Sequence, residues 1–454
     1  MNNKLGQGSV GKLMFSLAVP AVISQVINML YNIVDRMYIG HIPVIGVDAL
    51  TGLGLCFPII MIVSAFSSLF GMGGAPKAAI QMGKGDYKKA ENILGNCATC
   101  LFISAIILMT VLLLWGKDLL YLFGASEDTI GYSLHYLSIY SFGTIFVQIS
   151  LGLNMFITTQ GFAKYSMLTV IIGAVTNIIL DPIFIFGFNM GVQGAALATT
   201  IAQALSAIWV IKFLLGKKTK LKIRKENLRI KKNIILPIMA LGLSPFIMQS
   251  TESVLNICFN VSLQNYGGDL AVGAMTIMSS IMSLCFMPLQ GITQGAQPII
   301  SYNYGARKMD RVKSAIKLQI CICVTFTFLC WLAILLAPKI FISVFNNDTQ
   351  LLDTAVWSIR IYLACLFTLG LQVSCQQTFV ALGYAKISLF LACLRKLILL
   401  IPLIFILPYF NENKVFAVFL AEPVADVLSV LTTFTIFLFI MKSTFKKSNT
   451  LKKR

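Results

Sequence analysis

The chain has 454 residues, 57% of them hydrophobic and only 12% charged, with a net charge of +19 and a mean hydropathy of +0.83. Soluble domains carry about 25% charged residues, so a chain this long with so little charge cannot coat a water-soluble surface. The excess of cations sits between long apolar runs, which points to loops flanking a bilayer and away from nucleic acid.

An apolar run of about 20 residues crosses ~30 Å of hydrocarbon. Twelve such runs are predicted, over 13–38, 50–72, 91–115, 134–158, 165–187, 192–214, 234–262, 270–298, 316–337, 356–382, 387–409 and 415–441. In lipid each must be a helix, because backbone groups find partners only within the segment. The alternating pattern of a membrane β-barrel is missing. The predicted fold class is an all-α integral membrane protein with twelve transmembrane helices. The first run exceeds a signal-peptide core and lacks a small-residue cleavage site, so it reads as a retained span.

Loop charge sets the orientation. Lys217, Lys218, Lys220, Lys222, Arg224, Lys225, Arg229, Lys231 and Lys232 crowd the connection 216–233, which is predicted to be cytoplasmic. With six spans before it and six after, both termini are predicted cytoplasmic. Lys84, Lys88, Lys89, Arg307, Lys308, Arg311, Lys313 and the basic 446–454 stretch fall on that side. The outward loops and their flanks keep only Lys117, Lys339, Arg360 and Lys414 as cations.

The chain also repeats itself. Gln160-Gly161-Phe162-Ala163-Lys164 recurs 222 residues later as Leu382-Gly383-Tyr384-Ala385-Lys386. Gly83 matches Gly305 and Tyr140 matches Tyr362 at that offset, and Leu197-Ala198 matches Leu420-Ala421 one residue further on. Two six-helix lobes related by a pseudo-two-fold along the membrane normal follow, with the substrate route between them. The reading divides the chain into an N-lobe (1–215), a basic cytoplasmic linker (216–233), a C-lobe (234–441) and a basic cytoplasmic tail (442–454).

Polar residues inside the runs carry the functional information, since an ionisable group costs a few kcal/mol at mid-span and persists where it meets a cavity or a partner. The first run holds Ser24, Gln25, Asn28, Tyr31, Asn32 and Asp35, mostly on one face. That face is predicted to line an internal cavity, with Asp35 at its outer end. Arg36 points about 100° away and reads as snorkelling to the outer headgroups. The fifth run carries Asn177 and Asp181, followed by Pro182, which loosens the backbone; the sixth carries Thr199 and Gln203. Helical rise puts Asp35, Asn177, Asp181 and Thr199 at one depth, in the outer part of the N-terminal half. This oxygen-rich set is the candidate cation-coupling site. It suits Na⁺ as a hard cation, and a close carboxylate pair can equally share a proton. The alternative is hydrogen-bonding glue between helices.

The seventh run repeats the stripe as Gln249, Glu252, Asn256 and Asn260. Aligned on Gln25 and Gln249, Glu252 lies about 10 Å nearer the cytoplasm than an Asp35 equivalent would. It marks a second charged locus, suited to a cationic substrate, with Gln25, Asn28, Tyr31, Asn32, Gln249 and Asn256 as companions. A protonated glutamic acid bonded within the bundle is the alternative. The eleventh run holds Arg395 and Lys396, the twelfth Glu422 and Asp426. Depth matching predicts a structural ion pair of Arg395 and Lys396 with Asp426, leaving Glu422 without a cation and free to face the cavity. His41, His135 and the Cys97/Cys100 pair lack the clustered partners of a metal site, and no HExxH or Ser/His constellation suggests an enzyme.

Asn28-Met29-Leu30-Tyr31-Asn32-Ile33-Val34-Asp35 followed by Tyr38-Ile39-Gly40 resembles the first-helix motif of the multidrug and toxic compound extrusion (MATE) family. Asn177-Ile178-Ile179-Leu180-Asp181-Pro182 and Gly194-Ala195-Ala196-Leu197-Ala198-Thr199 resemble that family's fifth and sixth helices. The likeness covers the whole chain and is similar in wording to the MepA-like branch. It implies an antiporter in a bacterial cell membrane, multi-pass and monomeric, exporting amphipathic, often cationic drugs by alternating access. It implies no cofactor beyond a coupling Na⁺ or H⁺, held by Asp35, Asn177, Asp181 and Thr199, and no nucleic-acid partner. Glu252 matches the seventh-helix acid of NorM-like members. Their tenth-helix acid has no counterpart, because 354–383 contains neither Asp nor Glu and places Gln372, Gln376 and Gln377 there. This favours coupling through the N-lobe. The rival readings are a flippase of lipid-linked precursors, which calls for a strongly basic cavity, and a channel.

Overall fold

The computed structural model describes residues 4–43, 46–343 and 349–452; the first three and last two residues, which the predicted lobe and tail boundaries include, lie outside the described residues. Within them every regular element is helical. The first six spans are α1 (Val10–Gly40), α2 (Gly46–Gly83), α3 (Tyr87–Leu122), α4 (Glu127–Thr159), α5 (Ala163–Pro182) and α6 (Val192–Leu215). The second half runs through α7 (Lys232–Gly305), α8 (Met309–Leu336), the short α9 (Pro338–Ser343), α10 (Thr349–Tyr362) and α11 (Leu366–Leu382). It ends with α12 (Ala385–Cys393), α13 (Ile401–Ile406) and α14 (Lys414–Lys452).

Among the described residues, ten helices are long and apolar enough to cross a membrane, and α10 with α11, meeting at 47°, form an eleventh span. α7 supplies the twelfth. Its 74 residues would extend ~110 Å as one rod, far beyond ~30 Å of hydrocarbon. The helix breaks at Gly268 (φ 63°, ψ −160°), a backbone conformation that belongs to glycine. Residues 232–267 and 269–305 are therefore separate spans, and the predicted runs 234–262 and 270–298 fall on either side of the break.

The apolar core shows how the halves meet. One cluster, with Ile39, Leu53, Tyr140 and Ile185, draws all its buried members from the first six spans. Another, with Phe259, Met278, Tyr362 and Phe419, draws all of its own from the last six. Both lie toward the end of the bundle opposite the basic linker. Toward the linker end the clusters are mixed: Leu69, Phe70 and Phe213 pack with Ile235 and Ile238, and Leu5, Met14 and Leu17 pack with Ala296, Ile299 and Phe379. The lobes thus join at the end that carries the basic linker and keep separate cores at the other.

The joint is a seam of backbone contacts. Gly83 lies against the Tyr302 carbonyl and Gly305 against that of Ile80, so the two glycines related by the repeat pack reciprocally. Gly242 lies against the Leu69 carbonyl, and a Cβ at any of these three positions would overlap backbone. Gln25 Nε2 donates to Gln294 Oε1 (3.4 Å) and Ser68 Oγ to Gln249 Oε1 (2.8 Å), both across the seam. The segment before α1 adds to it. Leu5 is only 1% exposed, and the carbonyls of Leu5, Gly6 and Gly8 accept from Asn303 (2.9 Å), Lys308 (2.8 Å) and Arg311 (2.6 Å).

The linker is a strap docked onto the first half. Gln160 Oε1 accepts from Thr219 Oγ1 (2.9 Å) and from the amides of Lys220 (2.6 Å) and Leu221 (2.9 Å). Asn96 is fully buried; its Oδ1 accepts from the Lys231 amide (2.7 Å) and its Nδ2 donates to the Asn227 carbonyl (3.3 Å). Glu91 pairs with Arg224 at 3.0 Å. These side chains satisfy the backbone of a segment that has little regular structure of its own.

Candidate cation and substrate sites

In the first lobe, α5 stops being a regular helix at Pro182, which lacks an N–H and cannot continue the hydrogen-bond ladder. A π-turn, Ile183–Gly187, follows directly; such turns are frequent at functional sites. Just before it, Asn177 and Asp181 occupy one face, and both are buried along with Asp35. Asn177 Nδ2 donates to Asp181 Oδ1 (3.1 Å) and to Thr199 Oγ1 (3.3 Å). The Asp35 and Asp181 carboxyl groups are neighbours. All four residues singled out by depth are brought together.

Three buried oxygens of this group, Asp35 Oδ1, Asn177 Oδ1 and Asp181 Oδ2, have no hydrogen-bond partner among the described residues. Each is an acceptor, and a buried polar atom left unpaired costs about 1–3 kcal/mol, more when charged. The set fits an incoming cation or proton and offers nothing to an anion. A narrow cleft of about 40 Å³ continues from it, lined by Asn28, Tyr31, Asn154, Asn177, Thr199 and Gln203 among others. Asn32, by contrast, is exposed and turns back to the Asn28 carbonyl (2.6 Å). Arg36 places its guanidinium 5.1 Å from the centre of the Phe57 ring, where a cation and an aromatic face attract.

Two tyrosines belong to this site that sequence reasoning did not assign to it. Tyr136 lies beside Asp35 and Thr199, and Tyr140 stacks 6.1 Å from Tyr136. The repeat carried a signal for one of them, because Tyr140 corresponds to Tyr362. In the second lobe Tyr362 stands beside Glu252, Glu422, Arg395 and Asp426, so each lobe sets a tyrosine next to its charged cluster.

The second cluster departs from the predicted pairing. Arg395 bonds both Asp426 (2.8 Å) and Glu422 (2.9 Å), so Glu422 has a cation after all. Lys396 does not meet Asp426; it pairs with Glu252 and donates to the Met248 carbonyl at 2.7 Å. The two cations are neighbours in sequence but face different helices, so α14 takes one and α7 the other. Lys396 is 7% exposed, whereas the Glu252 side chain is 60% exposed, leaving this carboxylate open on one side. Asn256, one turn on, is also exposed. Gln25 and Gln249 are committed to the seam described above.

Removing a partner from a buried ion group leaves charge uncompensated, at a cost of about 3–5 kcal/mol. Arg395→Met is accordingly expected to destabilise the protein by about that amount, read as an earlier thermal unfolding in detergent, whereas Glu422→Gln, which keeps an acceptor for Arg395, has a smaller effect. Equal stability of Arg395→Met and the parent would show that the cluster is not held by this cation.

The family model MatE matches residues 20–183 and again 245–406, one copy in each lobe. The chain belongs to the MATE family. Among MATE relatives it is 25% identical over 401 residues to the multidrug export protein MepA of Staphylococcus saprophyticus, covering 88% of each chain. With the MepA of Staphylococcus aureus it shares 25% identity, over 88% of this chain and 87% of the relative. A solved MATE multidrug transporter, DinF-BH in complex with R6G, superposes with a TM-score of 0.89 at 33% identity, covering 97% of this chain and 98% of its own. A MATE crystal structure in the bent conformation superposes at 0.91 with 21% identity, covering 98% of both. The chain is a multi-pass membrane protein of this family, and the two copies of MatE coincide with the internal repeat.

Proposed function

We propose that this MATE protein exports amphipathic, often cationic compounds from the cell in exchange for Na⁺ or H⁺, by alternating access between its two lobes. The trio of unpaired buried oxygens at Asp35, Asn177 and Asp181 carries the proposal. Those atoms give a small cation or proton a reason to enter the first lobe, and the polar cleft beside them, lined by Asn28, Tyr31 and Gln203, gives it a path. The cation shifts the lobes only by binding one arrangement better than the other. In the arrangement seen here, the seam is closed at the end bearing the basic strap and each lobe keeps its own core at the opposite end. If the strap lies in the cytoplasm, as its cations favour, this is the outward-facing state, the one that receives the coupling ion and releases the drug.

Glu252, open on one side and held by Lys396 on the other, is the carboxylate that an organic cation would approach in the second lobe. MepA and DinF-BH are named as multidrug transporters, which supports the same class here. A flippase of lipid pyrophosphates would need uncommitted cations in its cavity. Arg395 and Lys396 are instead tied to carboxylates, and Arg36 to an aromatic ring.

Dye efflux from cells or proteoliposomes, compared with and without Na⁺ and across an imposed pH gradient, tests the reading. Efflux is expected to depend on one of the two gradients. Dye movement that persists unchanged when both are collapsed would point to a channel.

A further inference from the structure

A groove of about 350 Å³ runs along the flank of the bundle where the lobes meet, outside the cleft just described. α1 contributes Phe15, Val19, Val22 and Ile23, the 269–305 helix Ile292, and α8 Leu318 and Ile322. Every residue lining it is apolar. Phe15 and Ile23 are 71% and 41% exposed, so in a membrane protein this surface faces acyl chains.

The basic end of the groove is marked by charge. Lys12 precedes Phe15, Val19 and Ile23 at steps of three, four and four, which places it on the same helical stripe. Lys317 directly precedes Leu318 on the facing helix. Both lysines are exposed, and no Asp or Glu lines the groove. From Lys12 to Ile23 the helix rises ~16 Å, about the depth of one leaflet of a ~30 Å core.

From this geometry we infer a binding site for one anionic phospholipid, its acyl chain in the groove and its headgroup at Lys12 and Lys317. Cations at the mouth repel the positively charged compounds assigned to the central cleft and attract a lipid phosphate. The position gives the lipid a task. Immediately behind the groove, Gly291 lies within 2.6 Å of Val22 at the place a Cβ would take, and Gly295 presses on Ala18. The groove is thus built from one face of each lobe over a seam that exists only while the two are together at this end. A lipid seated there binds that arrangement better than one in which the lobes part, and so favours it.

The test uses the full chain in liposomes of phosphatidylcholine with or without phosphatidylglycerol, and native mass spectrometry of the protein after detergent washing. The parent is expected to retain one phosphatidylglycerol in preference to phosphatidylcholine, and its dye efflux to change several-fold with phosphatidylglycerol. Lys12→Glu at the mouth and Val19→Trp in the groove are expected to lose the retained lipid and flatten that response. Lys12 is exposed, so Lys12→Glu keeps the test decisive should the tryptophan disturb folding. Equal retention of both lipids overturns the proposal, as does a retained anionic lipid in both variants or displacement of the lipid by a cationic dye. The inference rests on the transport reading for its efflux measurement alone. If that reading fails, efflux is absent in every lipid while the bound-lipid difference between parent and variants still appears.

Discussion

Asp35→Asn and Asp181→Asn are each expected to abolish dye efflux while the protein still accumulates in the membrane. The substitution keeps shape and hydrogen-bonding reach and removes the charge. Asp181 Oδ2 and Asp35 Oδ1 are two of the three buried atoms left without partners, and an amide there cannot take up a proton or neutralise Na⁺. Coupling between two ligands of one protein is typically about 1–3 kcal/mol, and each ~1.4 kcal/mol is tenfold. Losing it lowers gradient-driven efflux by about tenfold or more. Asn177→Leu is expected to have a similar direction, because it removes the third oxygen and the donor that joins Asp181 to Thr199. Resistance and efflux at the parent level in cells carrying Asp35→Asn or Asp181→Asn would remove the first lobe from the coupling mechanism.

The second large effect is expected at Gly242. Its backbone meets the Leu69 carbonyl across the seam, so Gly242→Val cannot be accommodated without moving the helices apart. Overpacking costs about 1–3 kcal/mol, and here the whole cost falls on the arrangement with the seam closed. At ~1.4 kcal/mol per decade its population drops by about fivefold to a hundredfold. Efflux is expected to fail because the transporter no longer completes its cycle, although it folds and inserts. A reporter cysteine at Leu17, buried in the same seam at 3% exposure, in a background without native cysteines, is expected to label faster with maleimide in the Gly242→Val chain. Unchanged labelling and unchanged efflux would mean that the glycines do not govern closure.

The span pattern was readable because lipid leaves little choice: long apolar runs must be helices, and their length is set by the bilayer. The break at Gly268 fell where the predicted loop lay. The short α9 and the 47° bend between α10 and α11 were not readable, since hydropathy does not register a change of helix direction inside an apolar stretch. Asp35, Asn177, Asp181 and Thr199 stood out because polar groups in lipid are costly, and regular helices made their heights comparable. Tyr136 carried no such signal, being amphipathic and at home in many packed interiors.

The pairing in the second lobe escaped for a different reason. Depth arithmetic assumes a regular α-helix, but Arg395 and Lys396 lie in the π-turn Leu394–Leu400, whose wider winding re-aims both side chains. Arg395 also reaches two carboxylates spaced one turn apart on α14, which a point estimate of height does not anticipate. The repeat offers a further clue: with Leu197-Ala198 over Leu420-Ala421, Glu422 stands where Thr199 does and Asp426 where Gln203 does. Each lobe thus carries one acid on its first helix, Asp35 or Glu252, but its other acids differ in place: Asp181 on the fifth helix of the first lobe, Glu422 and Asp426 on the last helix of the second.

Asn96 grips the Lys231 amide, and α7 starts at the very next residue. The crossover between the halves consequently has no slack, and it behaves as a pivot at one rim of the molecule. Residues 232–267 form an arm of ~54 Å from that point. A swing of ~10° about it carries the far tip through ~9 Å on that length, while the anchored corner scarcely travels.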